Sequence, residues 1–315
     1  MPTPVTHLVK PPALRPGDTI GIVAPASNLK QSDLDAGCEA LRRAGYRPFY
    51  LNSIMERDLY FAGAPDRRRH ELEEMFTRTD VRAILCARGG YGSNYLLNGL
   101  NLEILKAYPK IFIGYSDITS LMTYFVDATG MAVFHGPMAA KDWAHADGVD
   151  LHSWQAALSS NSSWDVQLND GVLGIADGEA EGVLYGGCLS MLVASLGTPY
   201  EINTANRILF LEDIAAKPFQ IDRMLMQLKL AGKLDAIRGI VFGEMLDCRQ
   251  APNQDYTLQE VVSRIVGDLQ VPVAFGVRSG HVTSGNITLP FGVKARLSVV
   301  GKTVALRILE SAVSG

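Results

Sequence analysis

Residues 110–122 read "KIFIGYSDITSLM", and in this stretch a strand pattern passes into a helix pattern without a linker. The apolar run ends at Gly114, and the helix-like spacing of apolar residues begins directly after Ser116. Further strand patterns lie at 19–26, 81–90 and 131–138, and they alternate with helical patterns. Strands and helices that alternate with short connections predict a parallel, doubly wound sheet.

The segments that follow these strands carry small and polar residues. They read "APAS", "ARGG", "GYSD" and "HGPM". In open parallel sheets, ligand sites lie in the crevice outside the carboxyl ends of the strands. We therefore expect all four segments to line one crevice.

The second half of the chain has a different pattern. Residues 141–170 are rich in Asp, Ser, Asn and Trp and are predicted to be a linker with a short helix at 151–158. Residues 171–315 combine helices with several strands, and 286–309 alternate like a β-hairpin. The sequence thus predicts an N-terminal doubly wound α/β domain (1–140), a linker, and a C-terminal mixed α/β domain rich in β-strands (171–315).

Composition excludes several classes of protein. Nearly half of the residues are hydrophobic (47%), a fifth are charged (20%), and the net charge is -4, as in ordinary globular proteins. The longest basic run is "DRRRH" at 66–70, which is predicted to be a solvated helix face. We therefore expect no nucleic-acid partner.

Neither a metal site nor a membrane segment is indicated. The four cysteines lie far apart without a C-x-x-C pair, so neither a zinc site nor a disulfide framework is expected. No apolar run approaches the length of about 18 residues that a membrane span needs, and the N-terminus lacks the apolar core of a signal peptide. The sequence predicts a cytoplasmic protein without a membrane partner.

Ser116 has two interpretations. A serine before a helix is a common N-cap, and Asp117 could cap equally well. A strand–serine–helix turn is also typical of a nucleophile whose hydroxyl is exposed at a sharp bend. The strict G-x-S-x-G pattern is absent because residue 118 is isoleucine, although Gly114 is present. The local sequence favours the cap.

A nucleophilic serine needs a base and an acid to orient that base. His135 ends a strand and His281 lies in a glycine-flanked loop, and the residues themselves do not decide between them. For the acid, Glu212 follows a buried strand too far from the next helix to cap it, and Glu244 is the second candidate. Asp213 is expected at the surface or in a turn.

The glycine-rich segment "ARGGYGSN" at 87–94 could let backbone N–H groups approach a ligand closely. Such donors would suit an oxyanion hole. A phosphate-binding loop is the rival interpretation, but neither G-x-G-x-x-G nor G-x-x-x-x-G-K-[ST] occurs.

Taken together, these motifs resemble the LD-carboxypeptidases, a family of serine peptidases that includes murein tetrapeptide carboxypeptidases and microcin C self-immunity peptidases. The matching segments, in family order, are "LRPGDTIGIVAPAS" (14–27), "RGGYG" (88–92), "IGYSDIT" (113–119), "HGPM" (135–138), "GGCLSML" (186–192), "FLEDI" (210–214) and "GHVTSGNITLPFG" (280–292). They span nearly the whole chain.

The resemblance implies a Ser–Glu–His triad. The matching positions make Ser116 the nucleophile, Glu212 the acid and His281 the base, with backbone N–H groups of Gly90 and Asp117 as the oxyanion hole. It also implies a site shared by the two domains, a homodimer, and neither a metal nor a cofactor.

Residues next to these motifs are expected to bind the substrate. We predict Gly89, Arg88 and Arg278 in that role, because the residue that a carboxypeptidase releases carries a free carboxylate, which needs a cation or N–H groups near it.

The resemblance further implies the reaction. Murein enzymes of the family release the terminal D-alanine of a tetrapeptide after the L-centre of a diamino acid, through an acyl-enzyme. One alternative is a microcin C immunity-type peptidase that cleaves aminoacyl-nucleotide toxins, for which Trp143, Trp154 and Trp164 in the linker could form an aromatic platform. A second alternative is a non-catalytic ligand-binding protein.

Overall fold

A computed structural model describes residues 7–315, so the first six residues of the predicted N-terminal domain lie outside it. The chain forms one six-stranded and one eight-stranded sheet with helices packed around them. The predicted class, a doubly wound α/β part followed by a mixed part rich in strands, is confirmed.

The first half alternates strands and helices as the sequence predicts. Its strands are β1 (Thr19–Val23), β2 (Arg47–Phe49), β3 (Val81–Cys86), β4 (Ile111–Gly114) and β5 (Val133–His135), and its helices are α1 (Gln31–Arg43), α2 (Pro65–Thr77), α3 (Leu102–Ala107) and α4 (Thr119–Thr129). Short 3-10 turns cover Asn52–Met55, Ser93–Gly99 and Ser116–Ile118. The five strands are parallel, in the order β2-β1-β3-β4-β5.

The second half supplies the remaining elements. They are α5 (Leu151–Ser159), β6 (Trp164–Asp165), β7 (Leu173–Ala176), β8 (Gly178–Cys188), α6 (Leu189–Ala194), β9 (Arg207–Glu212), α7 (Pro218–Leu230), β10 (Gly239–Gly243), α8 (Leu258–Val266), β11 (Val273–Val277), β12 (Leu289–Phe291), β13 (Lys294–Val300) and β14 (Thr303–Ile308). The large sheet has the order β6-β14-β13-β8-β9-β10-β11-β7, and β8 to β11 within it are parallel.

One strand of the second half belongs to the first sheet. β12 pairs antiparallel with β5, in a register that sets Leu289 opposite His135. The predicted terminal hairpin is therefore only β13 and β14, and the preceding residues cross to the other sheet. Alternating apolar residues predict a half-buried strand, but they do not show which sheet accepts it.

The strand order creates a switch point between β1 and β3, where the connections turn to opposite directions. Binding sites of doubly wound sheets lie at such a point, beyond the strand carboxyl ends. Ser27 follows β1, Gly89 follows β3 and Ser116 follows β4, so the predicted crevice segments lie at this edge.

Helix α1 packs against the segment after β5 by direct backbone contact. Leu34, Cys38 and Leu41 bury one face of the helix. A Cβ atom at Gly37 would lie 2.0 Å from the carbonyl oxygen of Ala139, a distance that no side chain can occupy. Glycine at this position therefore sets how closely α1 approaches the sheet edge.

Among residues 7–315, no helix is long and apolar enough to cross a membrane.

We predict that Gly37→Ala destabilises the protein. Alanine in a helix normally gains about 1 kcal/mol over glycine, but overpacking against backbone costs roughly 1–3 kcal/mol. The contact in this structure leaves the helix little room to relax, so we expect the free energy of unfolding in urea to fall. The exposed Ser32→Ala in the same helix is the control. A gain in stability for Gly37→Ala would contradict the packing described.

Candidate active site

Ser116 lies at a strained bend between β4 and α4. Its φ of +65° is left-handed, a conformation uncommon for residues other than glycine and often found at functional sites. The N-cap position of the 3-10 turn is Tyr115 and that of α4 is Ile118, so the predicted capping role of Ser116 is wrong. A Cβ at Gly114 would lie 2.9 Å from the Ile118 side chain, so this glycine makes room for the tight bend.

The glycine-rich loop after β3 passes directly against this serine. A Cβ at Gly89 would lie 2.7 Å from the Cβ of Ser116 and 3.4 Å from the backbone nitrogen of Asp117. Gly90 has a φ of +106°, and a Cβ there would lie 2.3 Å from Ser27 Oγ. Both positions therefore require glycine, and the loop brings its backbone beside the hydroxyl.

Asp117 ties the same loop to the bend. Its Oδ2 accepts a hydrogen bond from Ser93 N (2.7 Å), and Ser93 Oγ donates to the Asp117 carbonyl (2.6 Å). Burial raises the pKa of this carboxyl despite these bonds. Its side chain thus holds the loop, and the alternative that Asp117 caps α4 is wrong.

Glu212 and His281 form a buried pair. Glu212 ends β9 with 0% exposure, and its Oε2 lies 2.7 Å from His281 Nδ1 and accepts a second bond from His281 N (3.1 Å). A Cβ at Gly280 would lie 2.7 Å from Glu212 Cδ, and one at Gly243 would lie 2.6 Å from Glu212 Cβ. Two glycines thus make room for the carboxylate.

This contact assigns the tautomer of His281. With the Nδ1 hydrogen donated to the carboxylate, Nε2 of the neutral ring carries the lone pair and can accept a proton. Tyr115 packs edge-on against the ring, with centroids 5.1 Å apart. The histidine is thus fixed in orientation from two sides.

The pKa values of Glu212 and His281 are shifted in opposite directions from their usual values. Burial raises the pKa of Glu212, but the attraction of His281 outweighs burial and holds that pKa below its usual value. Burial lowers the pKa of His281, but the charge and hydrogen bond of Glu212 outweigh it and raise that pKa. His281 in this pair therefore keeps its proton at pH values at which an isolated histidine has already lost it.

The other candidate for the base, His135, has a structural role. His135 is fully buried, its Nδ1 lies 2.9 Å from Ser279 Oγ, and burial lowers its pKa to about 4. Ser279 Oγ donates to the carbonyl of Ile287 (2.7 Å), so His135 supports the loop that carries His281. The geometry favours His281 as the base.

The remaining acids also have other partners. Glu244 accepts hydrogen bonds from the backbone and hydroxyl of Thr283 (3.2 and 3.0 Å). Asp213 is 5% exposed and accepts from Ser190 N (2.9 Å) at the start of α6, so its predicted surface position is wrong.

Ser116 and His281 line one cavity of about 620 Å³, together with Arg88, Gly89, Gly90 and Tyr115. Of the two arginines that the sequence nominates, the lining formed by described residues includes Arg88 but not Arg278, whose backbone N–H donates to Asn169 (2.9 Å). A slightly larger cavity of about 710 Å³ is lined by residues of α7 and α8, among them Phe219, Ser263 and Arg264. Size alone therefore does not locate the site.

The linker tryptophans are mostly core residues. Trp143 and Trp154 are 5% and 1% exposed and pack edge to face with centroids 5.0 Å apart. Trp154 also donates to the Tyr46 hydroxyl (3.2 Å). Trp164 lies in β6. The buried pair offers no open aromatic platform.

Sequence reasoning missed Arg68, which supports the glycine loop. This residue is 1% exposed and donates to the carbonyls of Pro25 (2.5 Å) and Gly92 (2.8 Å). The prediction that 66–70 is a solvated face is wrong at this position. Arg68 lies one turn before the buried Leu72, so helical periodicity was the available signal.

No group of three or more His, Cys, Asp or Glu side chains in the described part of the chain is arranged to hold a metal ion.

Family models of known proteins match both halves of the chain. The family model of the LD-carboxypeptidase N-terminal domain matches residues 20–136, and that of the LD-carboxypeptidase C-terminal domain matches 181–297. The chain is 36% identical to the probable murein peptide carboxypeptidase of Bacillus subtilis (strain 168), over 97% of this chain and 95% of that protein.

Two solved structures have a fold similar to that of this chain. MccF in complex with glutamyl sulfamoyl guanosine matches with a TM-score of 0.90 and 25% identity, over 97% of this chain and 99% of that one. The muramoyltetrapeptide carboxypeptidase of Oxalobacter formigenes matches with a TM-score of 0.83 and 30% identity, over 93% and 99%.

The fold and the comparisons define a serine-type carboxypeptidase, a hydrolase. The chain belongs to the LD-carboxypeptidase family. The alternative of a non-catalytic binding protein is therefore not retained.

We predict that Glu212→Gln lowers the pKa of His281. The substitution removes the negative charge that raises this pKa and leaves burial, which lowers it. NMR titration of the imidazole measures the shift, and Glu244→Gln is a matched control because Glu244 bonds Thr283 instead. An unchanged or higher pKa in Glu212→Gln would contradict the ion pair.

Proposed function

We propose that this carboxypeptidase releases the terminal D-alanine from murein tetrapeptides, cleaving after the L-centre of the diamino acid during peptidoglycan recycling. The observation that carries the proposal is the buried Glu212–His281 pair, whose histidine lines the same cavity as Ser116. Similarity to proteins named murein peptide and muramoyltetrapeptide carboxypeptidase supports the substrate.

The first half of the reaction forms an acyl-enzyme. His281 Nε2 takes the proton of Ser116 Oγ as the oxygen attacks the scissile carbonyl carbon. Backbone N–H groups of Gly90 and Asp117 stabilise the oxyanion, and Glu212 stabilises the imidazolium. The C–N bond then breaks, and His281 gives its proton to the amine of the leaving D-alanine.

Water completes the reaction. It attacks the acyl-enzyme carbonyl while His281 takes one of its protons, and collapse of the second tetrahedral intermediate returns the proton to Ser116. The product is a tripeptide with a new carboxylate. No step requires a metal or an organic cofactor.

The leaving residue carries a carboxylate that needs positive charge. Arg88 lines the cavity beside Gly89, with one guanidinium nitrogen donating to the Asn28 carbonyl (3.2 Å). Lys141 lines the same cavity. These two cations, rather than Arg278, bind the D-alanine carboxylate in our proposal.

A second candidate substrate is an aminoacyl nucleotide. It is favoured by the similarity to MccF, one structure of which holds glutamyl sulfamoyl guanosine. The burial of Trp143 and Trp154 argues against the aromatic platform that such a base would stack on. Turnover of an aminoacyl sulfamoyl adenosine, measured beside the tetrapeptide, distinguishes the two substrates.

The proposal includes a cytoplasmic homodimer, which rests on the family resemblance. Phe219 and Leu230 on α7 are 52% and 82% exposed, and interfaces commonly bury apolar side chains of this kind. Light scattering of the purified protein measures the oligomeric state.

We predict that Ser116→Ala abolishes D-alanine release. Removal of a triad nucleophile lowers kcat by about 10⁴-fold or more. Purified protein with a murein tetrapeptide, followed by detection of free D-alanine, is the test, and Ser162→Ala on the exposed linker is the control. Turnover by Ser116→Ala at the unsubstituted rate would remove the proposed nucleophile.

We predict that kcat/KM for the tetrapeptide falls on the acid side through a pKa above the ordinary value for histidine. Protonated His281 cannot accept the Ser116 proton, and Glu212 raises the pKa of that histidine. A pH–rate profile measures the limb. A limb below the ordinary histidine pKa would argue that a different group is the base.

A further inference from the structure

The reaction needs Ser116 and His281 at a fixed separation, although the two residues lie on different halves of the chain. Ser116 follows β4 of the first sheet, and His281 follows β11 of the second. The bond between His281 and Glu212 fixes the imidazole relative to β9, but it does not fix the imidazole relative to Ser116. A contact that joins the two halves beside these residues therefore bears on catalysis.

The buried carboxylate of Asp142 makes such a contact, and the reaction does not use it. Its Oδ1 accepts hydrogen bonds from the Tyr115 hydroxyl and from Asn286 Nδ2, both 3.3 Å long. Its Oδ2 accepts a bond from Met138 N (2.8 Å). All three donors are uncharged, and burial raises the pKa of this carboxyl. Buried titratable groups with shifted pKa values are concentrated at functional sites.

Tyr115 connects Asp142 to the nucleophile. It directly precedes Ser116, and its side chain is buried. Its ring packs edge-on against the His281 ring, with centroids 5.1 Å apart. The bond from the hydroxyl to Asp142 therefore fixes a ring that lies against the imidazole and whose backbone leads into the strained bend.

Asn286 connects the same carboxylate oxygen to the loop of the base. Its Nδ2 also donates to the Gly280 carbonyl (3.1 Å), and its Oδ1 accepts a bond from Gly280 N (3.0 Å). Asn286 is fully buried, and Gly280 directly precedes His281. Because an ionised carboxylate only accepts hydrogen bonds, Asp142 requires the NH2 group of Asn286 to face it. The carboxylate thus orients the amide that holds both backbone polar groups of Gly280.

The three donors around residue 142 need an acceptor on both oxygens. The ionised carboxylate of Asp142 is such a group, because neither of its oxygens carries a hydrogen. An asparagine at this position would direct its NH2 group either to Met138 N or to the two side-chain donors. In the first orientation the bond from Met138 is lost, and in the second the bond from Asn286 is lost.

We propose that Asp142 is a positioning residue that holds Ser116 and His281 at their separation. It acts through Tyr115 on the side of the nucleophile and through Asn286 on the side of the base. In this role Asp142 exchanges no proton with the substrate. The inference rests on the proposed function, because it takes Ser116 as the nucleophile and His281 as the base.

The test measures D-alanine release from a murein tetrapeptide by Asp142→Asn and by Tyr115→Phe. Tyr115→Phe keeps the aromatic ring and removes only the bond to Asp142. We expect each variant to lower kcat by about tenfold or more while KM changes little, because a displacement of about 1 Å near the reacting groups can cost about 100-fold in rate. Asp147→Asn, at an exposed position of the same segment, is the matched control and should keep the unsubstituted rate.

Two further measurements distinguish positioning from a general loss of structure. In NMR spectra, the His281 Nδ1 hydrogen that is donated to Glu212 should keep its downfield resonance in both variants, because that pair is left intact. The double variant should lose less than the product of the two single losses, because both changes act on the same bond. Thermal unfolding checks that each variant is folded, and Tyr115→Phe decides the test if Asp142→Asn does not fold.

The outcomes separate this inference from the proposed function. If the unsubstituted protein releases no D-alanine, the proposed function fails and the inference fails with it. If it releases D-alanine and the folded variants keep kcat, or raise KM alone, the function stands and the positioning role is overturned. Loss of the His281 resonance, or a double variant whose loss equals the product of the single losses, would overturn it as well.

Discussion

A carboxylate without exposed surface lies at the end of β9, and much of the site follows from that charge. Burial of an ionised carboxylate is costly unless it is paired and hydrogen-bonded. His281 provides the partner for Glu212 through its ring and its backbone, and Gly243 and Gly280 leave the space. The loop after β11 must therefore stay over the carboxylate, and its continuation as β12 attaches it to the first sheet.

The opposite wall of the cavity is set by how closely backbones can approach. Gly89 and Gly90 admit no Cβ because Ser116 and Ser27 occupy that space. The left-handed φ of Ser116 is retained because Gly114 clears the inside of the bend while Asp117 holds Ser93 across it. The strained conformation of Ser116 is thus maintained by close packing and hydrogen bonds around it, which keep its hydroxyl in place.

Much of the fold could be predicted from the spacing of apolar residues and from the residue types that begin and end helices. Pro65 and Pro218 each stand at the first position of a helix, where the fixed φ of proline is compatible with helical backbone. The predictions that failed share a cause. Arg68 was predicted to be solvated from its basic neighbours, yet the carbonyl oxygens of Pro25 and Gly92, in two distant loops, hold it in the core. The partners of such a residue are not its neighbours in sequence.

The sequence by itself determined the two-part α/β architecture and the short set of groups able to do chemistry, because periodicity and residue type act locally. It left Ser116 between a cap and a nucleophile, and the base between His135 and His281. The family resemblance assigned Ser116 and His281 by their motifs, but only the tertiary structure gave a physical reason to favour His281, since burial and partner distance are properties of the folded chain. His135 became a neutral core residue beside Ser279, whereas His281 came to lie between a buried carboxylate and the cavity.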